Sequence, residues 1–224
     1  LFRSVQDPRV ILADEPIASL DPERGREGHF PREIPMDMHA ARNQMVQQQI
    51  RTWEVLDLGI LSVFEALPRD KFTPEAYRNA AYADMQIPLP HGEVMLAPKV
   101  EGRLLQALNP GANDSALEIG TGSGYFAACL AKLAREVLTV DIHPDFVENA
   151  GKTLKSLGLK NVQLETRDGT RLEWLNGRYD LIAVAGSLPA YDPAYEQRLN
   201  VGGRLIVVVG KSPEIGRASC RGRV

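Results

Sequence analysis

Cysteine is scarce in this sequence: 224 residues contain two, Cys129 and Cys220. That is too few for a disulfide framework, and neither has metal-ligand spacing, so no metal is expected. No apolar run reaches the roughly 18 residues of a membrane span, and the N-terminus lacks the basic-then-apolar layout of a signal peptide. Charge of one sign is lacking too. With a formal net charge of −3 and an isoelectric point near 5.9, the chain has no electrostatic reason to seek nucleic acid or an anionic membrane. No internal repeat is visible. A complete phosphate-cradling G-x-x-x-x-G-K-[ST] is also missing. Two G-K-[ST] strings occur, Gly151-Lys152-Thr153 and Gly210-Lys211-Ser212, but Phe146 and Leu205 stand where the leading glycine belongs. What remains, 44% hydrophobic and 25% charged, is the composition of a soluble globular protein of about one domain. Cytoplasm is the expected compartment.

Three kinds of text follow one another. Residues 1–35 contain VILADEPIASLDPE, whose apolar strand, Asp14-Glu15-Pro16 and Ser19-Leu20-Asp21 resemble the Walker B strand and D-loop of an ABC transporter ATPase. In that family the Asp helps hold magnesium and the Glu polarises the attacking water. The phosphate loop such an enzyme needs should lie upstream, whereas both G-K-[ST] strings lie downstream, so this segment reads as extraneous to the rest. Its remainder, from Pro22 to Pro35, is polar and proline/glycine-punctuated, a loop pattern. At the other end, EIGRASCRGRV (214–224) is basic, without helical or strand periodicity, and resembles a translated sequencing adapter.

The body, residues 36–213, is consistent with itself. Asp37 can cap a helix through MHAARNQMVQQQIRTW and Asp57 a second through LGILSVFEAL. A short helix at 74–81, an extended MQIPLPHGEVML, and a helix led by Pro98 follow. This first part, 36–110, reads as an N-terminal cap and substrate region, and 111–213 as a ligand-binding core. From Ser115 the pattern becomes strand ALEI, helix YFAACLAKLA, strand EVLTVD, helix PDFVENAGKTLKSLG, strand VQLET, strand YDLIAVA, short helix and strand GRLIVVVG. Strands alternating with helices predict an α/β fold with βαβ units around a mostly parallel, Rossmann-like sheet.

The first core strand runs into Gly120-Thr121-Gly122-Ser123-Gly124. A dinucleotide fingerprint, G-x-G-x-x-G, would need glycine at 125, where Tyr125 stands. The pattern is E-x-G-x-G-x-G, and its acid, Glu118, would repel a pyrophosphate but suits a cationic ligand. S-adenosylmethionine carries a sulfonium and an amino group and no phosphate. Glycines let the backbone approach its methionine and ribose portions. Asp141, 21 positions after Gly120, ends the next strand, where an acid accepts both ribose hydroxyls. Asp168-Gly169 follows the third strand and can face the adenine edge; Tyr179-Asp180 opens the fourth, which forms a wall. The expected cofactor residues are Glu118, Gly120, Thr121, Gly122, Gly124, Asp141, Asp168 and Gly169.

In order, MVQQQIRTWEVLD, ALPRDKFTPEAYRNAAYADMQIPLPHGEVMLAPKVEGRLLQAL, LEIGTGSGYFAACLA, RYDLIAVAGSLP and LNVGGRLIVVVG resemble the protein-L-isoaspartate O-methyltransferase family over residues 36–213. The resemblance implies a class I S-adenosylmethionine-dependent methyltransferase fold of seven strands with an N-terminal helical cap. It also implies methylation of the α-carboxyl of L-isoaspartyl residues in damaged proteins, the ester then cyclising to a succinimide that reopens partly to aspartyl. Isoaspartyl proteins and peptides are the implied partners, with no nucleic acid or membrane; oligomeric state is left open. Related chains continue past GRLIVVVG, so the fold is expected to be truncated there, with an unpaired sheet edge and poor solubility.

The family holds the acceptor carboxylate with Thr-Ile-Ser after His-Gly. Here His91-Gly92 is followed by Glu93-Val94-Met95-Leu96-Ala97-Pro98, so Val94 and Leu96 replace the hydroxyls and neither can donate a hydrogen bond. An alternative is therefore an S-adenosylmethionine-binding member without isoaspartyl activity. No catalytic residue is assigned; His91 is the leading candidate, with Tyr125, Ser123 and Lys99 behind it. Trp53 and Trp174 read as packing.

Overall fold

The computed structural model describes residues 2–4, 11–13, 37–210 and 217–222. Strands β1 (Phe2–Ser4) and β2 (Ile11–Ala13) form an antiparallel pair; the ATPase-like residues 14–21 and the 22–35 loop lie outside the described residues.

Helix α1 (Met38–Met45) starts where the sequence says it should, because the Asp37 carboxylate accepts from the His39 and Ala40 amides. It does not run on to residue 53 as one α-helix. A π-helical turn over Val46–Ile50 and a 3₁₀ turn over Arg51–Trp53 replace the second half. The wider turn brings Met45, Val46 and Ile50 all into the core. Helix α2 (Leu58–Ala66) is capped by Asp57, which accepts from the Ile60 amide at 2.9 Å. A 3₁₀ segment, Glu75–Ala80, and the two-residue strands β3 (Ile87–Pro88) and β4 (Val94–Met95) lead to α3 (Pro98–Leu108).

The core alternates as expected: β5 (Ser115–Ile119), α4 (Tyr125–Leu133), β6 (Glu136–Asp141), α5 (Pro144–Ser156), β7 (Val162–Thr166), β8 (Tyr179–Leu188), β9 (Leu199–Val209). With β10 (Arg217–Gly222) they form a sheet of order β10-β9-β8-β5-β6-β7, six strands among the described residues where the family resemblance implied seven. The five strands β5 to β9 are parallel; β10 runs antiparallel to β9, from Arg217 beside Val209 to Gly222 beside Arg204. Two expectations are corrected here. The edge of β9 is paired, and part of the 214–224 stretch is a strand. The chain winds outward from β5 through β6 to β7, then crosses back to β8, so a crevice opens at the carboxyl ends beside β5.

Because successive strand residues face opposite sides, each strand serves two cores. Leu117, Ile119, Ile182, Val184, Leu205 and Val207 pack with Leu172, Leu175 and Tyr195 on one face. Ala116, Leu181, Ala183 and Ile206 pack under α2 to α5 on the other. The same alternation turns Glu118 toward the helical layer.

Buried in that layer is an ion pair. Arg69 is fully buried and bonds the Glu101 carboxylate and the Leu96 carbonyl, joining the segment after α2 to α3 and β4. Its guanidinium also lies 4.8 Å from the Tyr125 ring centroid. Burial pushes the Glu101 carboxyl up to about 7, against the pull of Arg69. Removing one member of such a pair leaves an uncompensated charge, at a cost of about 3–5 kcal/mol. Arg69→Met should lose that much in urea unfolding at pH 8 and less at pH 5, where Glu101 can take a proton. Arg69→Met combined with Glu101→Leu should recover most of it; a double variant no more stable than the single would show that the pair is not coupled.

Candidate active site

A cleft of about 250 Å³ lies across the carboxyl ends of β5, β6, β7 and β8, with β4 on one wall. Of the residues expected to bind a cofactor, Glu118, Gly120, Thr121, Gly122, Asp141, Asp168 and Gly169 line it. Gly124 does not. It caps α4 with φ +83°, and a Cβ there would sit 2.7 Å from the Ala150 Cβ of α5, so close helix packing explains this glycine.

Glu118 is fully buried, and burial, reinforced by Asp141 and Glu101, pushes its carboxyl up to about 8 despite a hydrogen bond from Thr139. Thr139 Oγ1 donates to Glu118 Oε2 at 2.6 Å and lies 2.7 Å from Thr121 Oγ1. Each hydroxyl has one proton, so Thr121 donates to Thr139, and the glycine turn is wired to the acid through two hydroxyls. The other carboxylate oxygen, Oε1, is buried without a partner among the described residues. An orphaned acceptor in a cleft marks a place for a donor or a cation.

The Asp141 carboxylate accepts from the Gly122 amide at 2.9 Å and the His143 amide at 3.0 Å. It braces the glycine turn while two lone pairs stay available. Gly120 must be glycine for two reasons: its φ is +95°, and a Cβ would lie 2.5 Å from the Gly186 amide on β8. Gly169 is excluded from change by Ile119, whose Cγ2 would be 2.2 Å from an added Cβ. Its carbonyl accepts from Tyr195 Oη at 2.7 Å. The Asp168 carboxyl is held below its usual range by hydrogen bonds from the Thr170 hydroxyl and amide.

Other expected residues are placed elsewhere. His91 is not among the cleft-lining residues; its Nε2 bonds the Asp145 carboxylate at 3.0 Å on the exposed side. Tyr125 is fully buried against Phe64 and Phe72, in the core rather than beside the cleft. Lys99 pairs with Asp84 at 3.0 Å and lies over the Trp53 ring, so its charge is turned away. Asp180 bonds Ser115 and Asn200 at the amino end of β8, opposite the cleft; the wall comes instead from Ala185, Gly186 and Ser187. Ser123 does line the cleft. Val94 in β4 and Leu96 just after it form one wall, with Glu93 and Glu101 also lining the cleft. Sequence reasoning missed Thr139, Gly186, Tyr195, Arg167 and Glu101. A threonine in the apolar run EVLTVD was a readable signal for the first.

The sequence model described as protein-L-isoaspartate(D-aspartate) O-methyltransferase matches residues 40–218. This chain belongs to the protein-L-isoaspartate O-methyltransferase family. Curated relatives agree: protein-L-isoaspartate O-methyltransferase 1 of Rhodopseudomonas palustris is 38% identical over 172 residues, 76% of this chain and 70% of the relative. The protein-L-isoaspartate O-methyltransferase of Koribacter versatilis is 35% identical over 174 residues, 78% of each. A Plasmodium falciparum beta-aspartate methyltransferase, solved in complex with S-adenosyl-L-homocysteine, superposes with TM-score 0.64 at 19% identity, over 79% of this chain and 85% of that one. That last likeness establishes the class I methyltransferase fold. Among the described residues no helix is long and apolar enough to cross a membrane.

An unfolded glutamate titrates near about 4.3, so between that value and 8 the folded family member holds a proton on Glu118 that the unfolded chain has released. Stability from this group is complete below about pH 4 and is lost as the pH rises toward 8. Glu118→Gln removes that slope. Melting temperatures of the variant should fall less between pH 6 and 8 than those of the parent; equal slopes would contradict a carboxyl held out of water.

Proposed function

We propose that this chain is an S-adenosylmethionine-dependent carboxyl methyltransferase acting on L-isoaspartyl residues of damaged proteins. The observation that carries the reading is the unpartnered Glu118 oxygen, buried in a cleft at the carboxyl ends of a parallel sheet. The residues fit the cofactor. Glu118 would compensate its cationic methionine end, Asp141 would accept from its ribose hydroxyls, and Asp168 and Gly169 would border its base. Ile142, 59% exposed although apolar, adjoins Asp141 on the cleft lip and offers a flat surface to a ring. The turn at Gly120 and Gly122 keeps side-chain atoms out of the space between these groups.

S-adenosylmethionine supplies a methyl group on a sulfonium, ready for in-line transfer to a carboxylate. The acceptor is already ionised at neutral pH, so no residue has to remove a proton. The protein's task is alignment and the exclusion of water, for which effective molarities of well-held pairs are sufficient. Leu89, Met95, Phe126 and Phe146 give the cleft its apolar lining.

A second reading rests on one feature. The wall formed by β4 and the residue after it presents Val94 and Leu96, neither with a side chain able to hydrogen-bond an acceptor carboxylate, with Glu93 and Glu101 also lining the cleft. On that reading the chain binds S-adenosylmethionine without esterifying isoaspartyl residues. The cofactor site is common to both readings; compartment and oligomeric state do not distinguish them.

Incubation of the full chain with methyl-labelled S-adenosylmethionine and an isoaspartyl peptide should yield a base-labile methyl ester, absent with the aspartyl peptide. Cofactor binding without ester would favour the second reading. A hydrogen bond to a charged group contributes about 1.5–3 kcal/mol, so Leu96→Ser with Val94→Thr should raise kcat/KM about 10- to 100-fold. No gain from the double substitution would mean that the carboxylate is not held at β4.

A further inference from the structure

At the edge of the cleft, which His143 lines, three potential ligands come together from two distant pieces of chain. His91 lies in the turn between β3 and β4, His143 caps α5, and Asp145 is in the first turn of α5. One ligand atom from each lies within 4.8 Å of the others. The imidazoles of His91 and His143 are stacked, with centroids 3.9 Å apart and planes 2° from parallel. Phe146 meets both rings edge-on at 5.4 Å. His91 Nε2 is 3.0 Å and 3.1 Å from the two Asp145 oxygens. The ring nitrogens of His143 have no hydrogen-bond partner among the described residues. His91 also holds φ at +63°, a conformation costly for a residue with a Cβ and kept where the surroundings require it.

From these observations we infer that His91, His143 and Asp145 form a binding site for a divalent transition ion, of which zinc is the representative. Two imidazoles and one carboxylate select zinc and its neighbours over magnesium or calcium, which take oxygen ligands. Donors about 2.0–2.1 Å from a tetrahedral zinc are roughly 3.4 Å apart and each imidazole holds an ion near its own plane, so binding needs a contraction of about an ångström and a turn of His91 out of the stack. The His91 and Asp145 side chains are 40% and 45% exposed and are free to make it. A fourth position remains open. The positive end of α5 opposes a cation, and the Asp145 carboxylate offsets it locally. The ion ties the 90–92 turn to the start of α5. Because the His143 amide donates to Asp141, the tie reaches the acid at the end of β6. Sequence spacing gives no sign of this site, since residues 91 and 143 meet only through the fold.

The test is zinc titration of the full, tag-free chain by calorimetry, with cobalt absorption as a second readout of the ligand set. Saturable binding of one ion per chain is expected. His91→Gln and Asp145→Asn should each weaken it by at least about 10-fold, since even outer partners of a metal ligand are worth that much. His39→Gln, on α1 and not a member of the cluster, should leave it unchanged. Circular dichroism confirms that each variant is folded, and either ligand variant alone suffices if the other unfolds. Absence of saturable binding, binding unaffected by both ligand substitutions, or binding lost with His39→Gln would each overturn the assignment. None of these outcomes depends on methyl transfer, so the inference stands or falls apart from the proposed reaction.

Discussion

The structure is organised around a carboxylate that water does not reach. Glu118 sits near the tip of the central strand with one oxygen held by Thr139 and the other buried without a partner among the described residues. Burying an acid is costly unless something compensates it, and the surroundings are arranged around that demand. Strand alternation sends Glu118 toward the helical layer while its neighbours Leu117 and Ile119 fill the opposite core. The hydroxyls of Thr139 and Thr121 then run from the acid back into the glycine turn. Asp141 holds the same turn from the next strand. The turn, the two acids and the crossing point of the sheet are one assembly.

Much of this was legible because its signals are local. Aspartates before α1 and α2, Pro98 at the head of α3 and the acids at strand ends all act within a few residues, so sequence spacing finds them. The glycine run was read as ligand-facing throughout, and there the sequence misled. Glycine is demanded by any close approach, and at Gly124 the approaching group is a helix, Ala150, rather than a ligand. What was not legible is long-range. Nothing in the neighbourhood of Gly186 says that Gly120 will lie against it, nor does the run around Tyr195 foretell a hydroxyl bonded to Gly169. Residues 46–50 resist for another reason. Their composition suits an ordinary helix, and the wider turn accompanies the burial of Met45, Val46 and Ile50 against the rest of the chain.

On the function proposed above, the acceptor side follows a different logic from the cofactor side. There the cleft wall is an extended strand with aliphatic side chains, and the charges near it, Glu93 and Glu101, are acids. Glu101 is tethered to a buried arginine, so its charge is spoken for within the protein. The cofactor end is thus built from hydrogen bonds that the fold supplies to itself. The proposed acceptor end presents aliphatic side chains instead, and that difference makes one half of the reaction easier to read from the residues than the other.

The Arg69–Glu101 pair has a consequence for how the protein could be divided. The sequence reads naturally as a cap followed by a core, with a seam near residue 110. The large helical-side cluster nevertheless draws side chains from both sides of that seam, from Phe64 and Leu105 to Tyr125 and Ala183. The buried guanidinium also lies over Tyr125, beyond the seam. A cap transplanted onto another methyltransferase core would carry an arginine fitted to an aromatic ring that the new host need not possess. Such parts are not interchangeable modules, because the cap and the core share one buried cluster and one buried charge.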